Sequence, residues 1–171
     1  NEIIRPCILW NDTRSHQECV EIMRDNSVKD IAGNIAMPGF TAPKVLWLKY
    51  NEPEKFKSIN KVLLPKDFLR FYLTGDFYSD LSDASGTYWL DIAKREWSQK
   101  LLDAGSMQIS QMPKVCEGTD QTGTLKKEIA DKYGFSKNCK VYGGAGDNAA
   151  AAVGLGLYEE GDASLSLGTS G

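Results

Sequence analysis

The chain has one histidine, four cysteines and no large excess of charge of either sign. Each shortage narrows function. His16 alone excludes a histidine-rich metal site, and its polar helical surroundings suit a solvated surface residue. Cys7, Cys19, Cys116 and Cys139 lie far apart, and none is spaced with another Cys or with His for zinc. Free thiols in a reducing compartment are expected instead. With 20 basic and 23 acidic residues the net charge is −3, which points to neither nucleic acid nor an acidic membrane surface as partner. Apolar runs stay short of membrane-spanning length, and the opening residues do not read as a secretory signal. Internal repeats and low-complexity tracts are missing too. The first residue is not Met, and the chain stops at "SLGTSG". A piece of a longer polypeptide is expected.

What is present is 171 residues of 42% hydrophobic content, enough for a buried core. "CILWND" (7–12) reads as a short buried strand. Ser15 and Glu18 fit a capping box for a helix to about Arg24. "AMPGFTAP" (36–43) is a loop, with Pro43 suited to the first turn of the helix that follows. "KVLLP" (61–65) reads as strand and "KDFLRFYLTG" (66–75) as a helix with a glycine stop. Residues 79–91 form a turn-rich approach to a strand. "REWSQKLLDAG" (95–105) and "QTGTLKKEIADKYGF" (121–135) read as helices, the second ending at Gly134. "CKVYGGAG" (139–146) is a strand entering a glycine loop, and "DASLSLGTSG" (162–171) alternates as a half-buried strand does. Strands alternating with helices predict a layered α/β domain with some parallel pairing.

The glycine loop ends in an acid, Asp147, set before four alanines. Three readings compete. Gly144, Gly146 and Ala149 match a G-x-G-x-x-A dinucleotide fingerprint, but the charge of Asp147 would repel a pyrophosphate there. Asp147 could cap the alanine-rich helix, whose N-terminus favours an anion. Or it could be a base facing a substrate. The glycines leave room around it and the small helix residues allow tight packing on a sheet, so the acid would be rigid, reachable and ionised.

Six segments in order carry a resemblance: "LWNDTR", "MPGFTAPKVLWL", "VLLPKDFLRFYLTG", "SDLSDASGTYWLD", "GGAGDNAAAAVG" and "LSLGTSG". Together they resemble the FGGY family of carbohydrate kinases, most closely its xylulokinase branch, over residues 5 to 171. The resemblance implies a ribonuclease H-like, actin-like ATPase fold with a sugar lobe and a nucleotide lobe. It implies that residues 1–161 are the later part of the sugar-binding domain. Residues 162–171 would then be the first strand and phosphate loop of the nucleotide-binding domain. The implied activity is transfer of a phosphoryl group from ATP with Mg²⁺ to O5 of D-xylulose, in the cytoplasm, with a homodimer of the full-length protein as one option. Ribulose, gluconate and fuculose are the alternative sugars, and a non-catalytic structural or sugar-binding piece is the alternative for the isolated chain.

Position by position, Asp147 matches the catalytic base and Asn148 the residue that hydrogen-bonds sugar hydroxyls. Gly168, Thr169, Ser170 and Gly171 match a loop that faces the ATP phosphates. Trp10 falls in a segment lining the sugar side, where it would either offer a flat face to the sugar or pack in the core at a strand end. Asp12 and Arg14 read as a cap and an ion pair. Lys44 reads as a solvated charge. Asp80, Ser82, Asp83, Ser85 and Gly86 match another family segment, for which turn-forming side chains are sufficient explanation. Trp47, Trp89 and Trp97 read as core. Gly39 stands where glycerol kinases tend to carry an aromatic residue, which disfavours glycerol. The family's first phosphate loop and its Met-His-Gly sugar segment have no counterpart in these residues.

Overall fold

A computed structural model describes residues 2–165. The first third is helical. α1 (His16–Ile22), α2 (Ser27–Ala32), α3 (Thr41–Asn51) and α4 (Pro53–Lys57) lead to α5 (Pro65–Thr74). Then strands and helices alternate: β1 (Tyr78–Asp80), α6 (Leu81–Ser85), β2 (Leu90–Asp91), β3 (Glu96–Trp97), α7 (Gln99–Ala104), a 3₁₀ turn (Ile109–Gln111), β4 (Lys114–Cys116), β5 (Gln121–Thr124), α8 (Lys127–Tyr133), β6 (Lys140–Tyr142) and α9 (Asp147–Gly154). β1 and β4 pair in parallel, with Asp80 opposite Cys116. β2–β3 and β5–β6 are antiparallel pairs. The layered α/β expectation holds, parallel pairing included.

The core lies where α1, α2, α3 and α7 enclose Tyr88 and Trp89. Trp89 and Leu102 are fully buried, with Leu46 and Leu101 almost so. Each such aliphatic side chain contributes on the order of 1.5–3 kcal/mol by leaving water. Trp47 and Trp97 pack against this core as expected. Glycine ends α5 and α8, where Gly75 and Gly134 take the left-handed conformation that L side chains avoid.

Several local expectations fail for physical reasons. Residues 7–12 form no strand: among the described residues no strand lies beside them, and the backbone closes a turn from Asp12 N to Leu9 O instead. Ser15 is the N-cap of α1 but closes no capping box, because its hydroxyl donates to Pro38 O. Residues 61–64 form no ladder among the described residues, although Leu64 itself is extended. Val62 N donates to Gln111 O, and Pro65 then starts a helix. The expected helix over 95–105 begins as β3, and Ser98 caps the remainder by accepting from Leu101 N. The expected helix over 121–135 begins as β5, whose buried Thr122 donates from its hydroxyl to Val141 O of β6. The expected strand over 162–171 falls largely outside the described residues, and 162–165 carry no regular structure.

Candidate active site

Asp147 is the first residue of α9, and Gly146, in extended backbone, is its N-cap. The Asp147 carboxylate accepts from Asn148 N at 2.8 Å and is otherwise exposed. So the acid does sit at a helix N-terminus, where the peptide dipoles favour its charge. It does not bond back to a later turn. Asn148 is exposed beside it. The expectation that the alanines would pack tightly is not met: none of the α9 residues is buried among the described residues, and Val153 is 63% exposed.

The loop before α9 rests on bare backbone. Gly143 N donates to Asp120 O and Gly144 N to Gly118 O, both at 2.9 Å. A Cβ on Gly143 would lie 2.3 Å from Glu117 O, and one on Gly118 would lie 2.5 Å from Gly144 O. Only glycine permits this approach of two chains. Gly144 also has φ +78°.

Beneath the loop lies a charged network that the sequence reading passed over. Asp67 and Arg70, one turn apart on α5, are both buried and pair at 3.1 Å. Arg70 donates onward to Gly143 O. Lys66 meets Asp67 at 2.7 Å, Asp80 at 2.5 Å and Asp83 at 3.4 Å. Asp80 caps α6 by accepting from Asp83 N, and it also accepts from the Ser82 hydroxyl at 2.5 Å. Ser82 in turn accepts from Gly146 N at 3.0 Å. Turn formation therefore explains only half of what Asp80 and Ser82 do. The other half is to hold the loop that carries Asp147.

Burial opposes charge on Asp80, yet the Lys66 ammonium, the Ser82 hydroxyl and the Asp83 N–H bring its carboxyl below the usual range. Burial raises Asp83; Lys66 counters this only in part, while Asp80 and Asp67 repel its charge. Lys66 is disfavoured by burial but held charged by Asp67 and Asp80. The signal for this network lay in "PKDFLR" and "SDLSD", two charge-rich stretches. Nothing in one sequence tells that they face each other across a buried gap.

An open cleft of about 390 Å³ runs beside the loop, lined among others by Ser82, Ser85, Ile92, Glu117, Ala145 and Val153. Asp147 borders it through the α9 turn but is not itself in the lining.

Trp10 is 71% exposed and belongs to no strand, which removes the reading of Trp10 as a core residue. Its carbonyl approaches Gly39 so closely that a Cβ there would sit 2.9 Å away. Asp12 and Arg14 form the expected ion pair at 2.7 Å, and the Arg14 guanidinium lies 4.9 Å over the Trp47 ring. Lys44 is half-buried rather than solvated, and burial lowers its pKa. All four cysteines are free. Gly168, Thr169, Ser170 and Gly171 lie outside the described residues. Among the described residues no group of His, Cys, Asp or Glu is arranged to hold a metal, and no helix is long and apolar enough to cross a membrane.

The fold is a mixed α/β lobe that presents an acid at the end of a glycine loop, and such a fold by itself does not assign a function. Residues 1–154 match the FGGY family of carbohydrate kinases, N-terminal domain, and the chain belongs to this family, with its actin-like ATPase fold. It is 52% identical over 170 residues to the xylulose kinase of Escherichia coli, covering 99% of this chain and 35% of that protein. The crystal structure of a xyloylose kinase from Brucella ovis superposes with a TM-score of 0.90 at 49% identity, over 94% of this chain and 33% of that one. Gluconate kinase from Lactobacillus acidophilus superposes with a TM-score of 0.84 at 27% identity, over 91% of this chain and 32% of that one. The chain thus spans about a third of the length of these relatives.

Proposed function

We propose that the full-length protein transfers the γ-phosphoryl group of ATP to O5 of D-xylulose, with Asp147 as general base. One observation carries the assignment of the base. Asp147 is exposed and free of any long-range partner among the described residues, on a loop that the fold holds at both ends. A purely structural acid would be expected to bond into the fold, as Asp67 and Asp80 do. The identity to xylulose kinases supports the choice of sugar.

On this reading Asp147 accepts the proton of the 5-hydroxyl as that oxygen takes the phosphoryl group and ADP leaves. Asn148 orients neighbouring hydroxyls by donating and accepting at once. The exposed ring of Trp10 offers an apolar face to the sugar. Gly168, Thr169, Ser170 and Gly171 would receive the phosphates through backbone N–H groups and hydroxyls. Mg²⁺ arrives with the nucleotide as part of the substrate. Rate enhancement comes from positioning and charge stabilisation more than from covalent chemistry. Residues 1–161 would belong to the sugar lobe, with the change to the nucleotide lobe near Glu160 to Asp162. The full-length enzyme would work in the cytoplasm, with a homodimer as its candidate assembly, and the isolated chain would be inactive.

The fold likeness to a gluconate kinase keeps a second sugar open. A coupled ADP-release assay on the full-length protein, with D-xylulose, L-ribulose, gluconate and glycerol, separates them. Turnover on D-xylulose is expected, with a loss of at least about 100-fold in Asp147→Asn while sugar binding persists. Turnover on gluconate alone would move the substrate. Near-normal turnover in Asp147→Asn would remove the base.

A further inference from the structure

Among the described residues the Asp147 side chain has no tie beyond its own first turn, so it inherits its position from Gly146. As the N-cap, Gly146 has an N–H without an intrahelical acceptor. One side chain takes that N–H. We propose that Ser82 is a positioning residue for Asp147: its hydroxyl, oriented by Asp80, pins Gly146 and thereby the first turn of α9. The inference rests on Asp147 being the base.

The argument is one of hydrogen-bond inventory. Ser82 donates its single proton to Asp80 Oδ1 at 2.5 Å. The other Asp80 oxygen lies 2.5 Å from the Lys66 ammonium, an ion pair that opposes rotation of the carboxylate. With its proton spent, the Ser82 oxygen presents only lone pairs to Gly146 N, 3.0 Å away. One group must accept on one side and donate on the other. A hydroxyl does both, so Ser and Thr serve and Ala does not. Asp80 is buried and Lys66 sits on α5, so the chain Lys66–Asp80–Ser82–Gly146 transmits the rigidity of the interior to an exposed loop. Arg70 holds the other end of the loop at Gly143 O. Ser82 itself is exposed. Removing its hydroxyl therefore leaves no cavity, and because Ser82 also lines the open cleft, the exchange rates and the Asp147→Asn background separate loss of position from loss of a contact there.

The test uses the full-length protein with Ser82→Ala, Ser82→Thr, Asp147→Asn and the double variant Ser82→Ala/Asp147→Asn. Steady-state kinetics on sugar and ATP are measured together with amide hydrogen exchange over residues 143–150. In Ser82→Ala we expect kcat to fall about tenfold, as a small misplacement of the base does. KM values should stay within about twofold, and exchange at the Gly146 amide should accelerate about tenfold. Ser82→Thr should restore both. In the Asp147→Asn background, Ser82→Ala should cost nothing further, because its effect runs through the acid. Unchanged exchange at Gly146 would overturn the proposal. So would a loss of kcat that persists in full beside Asp147→Asn, since Ser82 would then act elsewhere. Wild-type turnover in Asp147→Asn is a different failure. It removes the base, while the exchange rates still decide whether Ser82 holds the loop.

Discussion

Replacing Gly143 with alanine tests the backbone seat directly. The new Cβ would stand 2.3 Å from Glu117 O and 3.1 Å from both Gly118 Cα and Cys116 Sγ. Ordinary C···O contacts are roughly 3.3–3.6 Å, so the two segments must separate by about 1 Å. Two of the three neighbours, including the nearest, are backbone atoms, and the third is the thiol of the buried Cys116. Separation endangers the bonds from Gly143 N to Asp120 O and from Gly144 N to Gly118 O. Losing one of them costs about 1 kcal/mol, and the overpacking adds roughly 1–3 kcal/mol. The sum is about 2–4 kcal/mol, or roughly 5–15 °C in melting midpoint for a unit of this size. Thermal melting followed by circular dichroism reads it. Gly134→Ala is the control: Gly134 has φ +73° and nothing within 4 Å of a new Cβ, so only backbone strain of about 1 kcal/mol is expected. A Gly143→Ala midpoint within a degree of wild type would refute the steric reasoning.

Other outcomes follow from burial and charge. Leu102→Ala, at a fully buried position of α7, should cost about 2–5 kcal/mol in urea unfolding. Asp80→Asn should destabilise at neutral pH by removing the anion between Lys66 and Ser82. The Asp80 carboxyl titrates lower in the fold than in the unfolded chain, so its contribution is present above the ordinary value of about 3.9 and is lost as pH falls through its depressed folded value. The melting difference between wild type and Asp80→Asn should therefore shrink as pH drops below about 4; a constant difference from pH 7 to 3 would contradict this. Asp83→Asn has the opposite sign. Its carboxyl is raised, so its charge is disfavoured in the fold at neutral pH, and the amide should raise the midpoint slightly.

The large features of this fold were legible in the sequence because they rest on local rules. Gly75 and Gly134 announced two helix ends, and the α5 helix appeared where its pattern put it. The glycine loop and its acid were visible as a site. Strands were harder, because a strand needs a partner and partners are distant. "CILWND" has the right composition but no strand partner among the described residues, whereas "QTGT" is polar yet pairs with β6. The charged network was the main omission. Lys66, Asp67 and Arg70 lay in a segment read only as a helix, with no role given to its charges. The packing of α5 against β1 and β5 is what buries Asp67 and Arg70. Trp10 illustrates the reverse case, a large apolar ring that the fold leaves outside.

The glycine seat also determines what mutation can reveal. Contacts between Gly118, Gly143 and Gly144 involve main chain alone, so the seat does not read the side chains that follow it. Asp147 and Asn148 point outward from it and fill no space in the interior. The structure thus separates the residues that build the socket from the residues that sit in it. A library at positions 147 and 148 could vary charge, length and nucleophilicity over an undisturbed scaffold, and differences among its members would measure chemistry rather than folding.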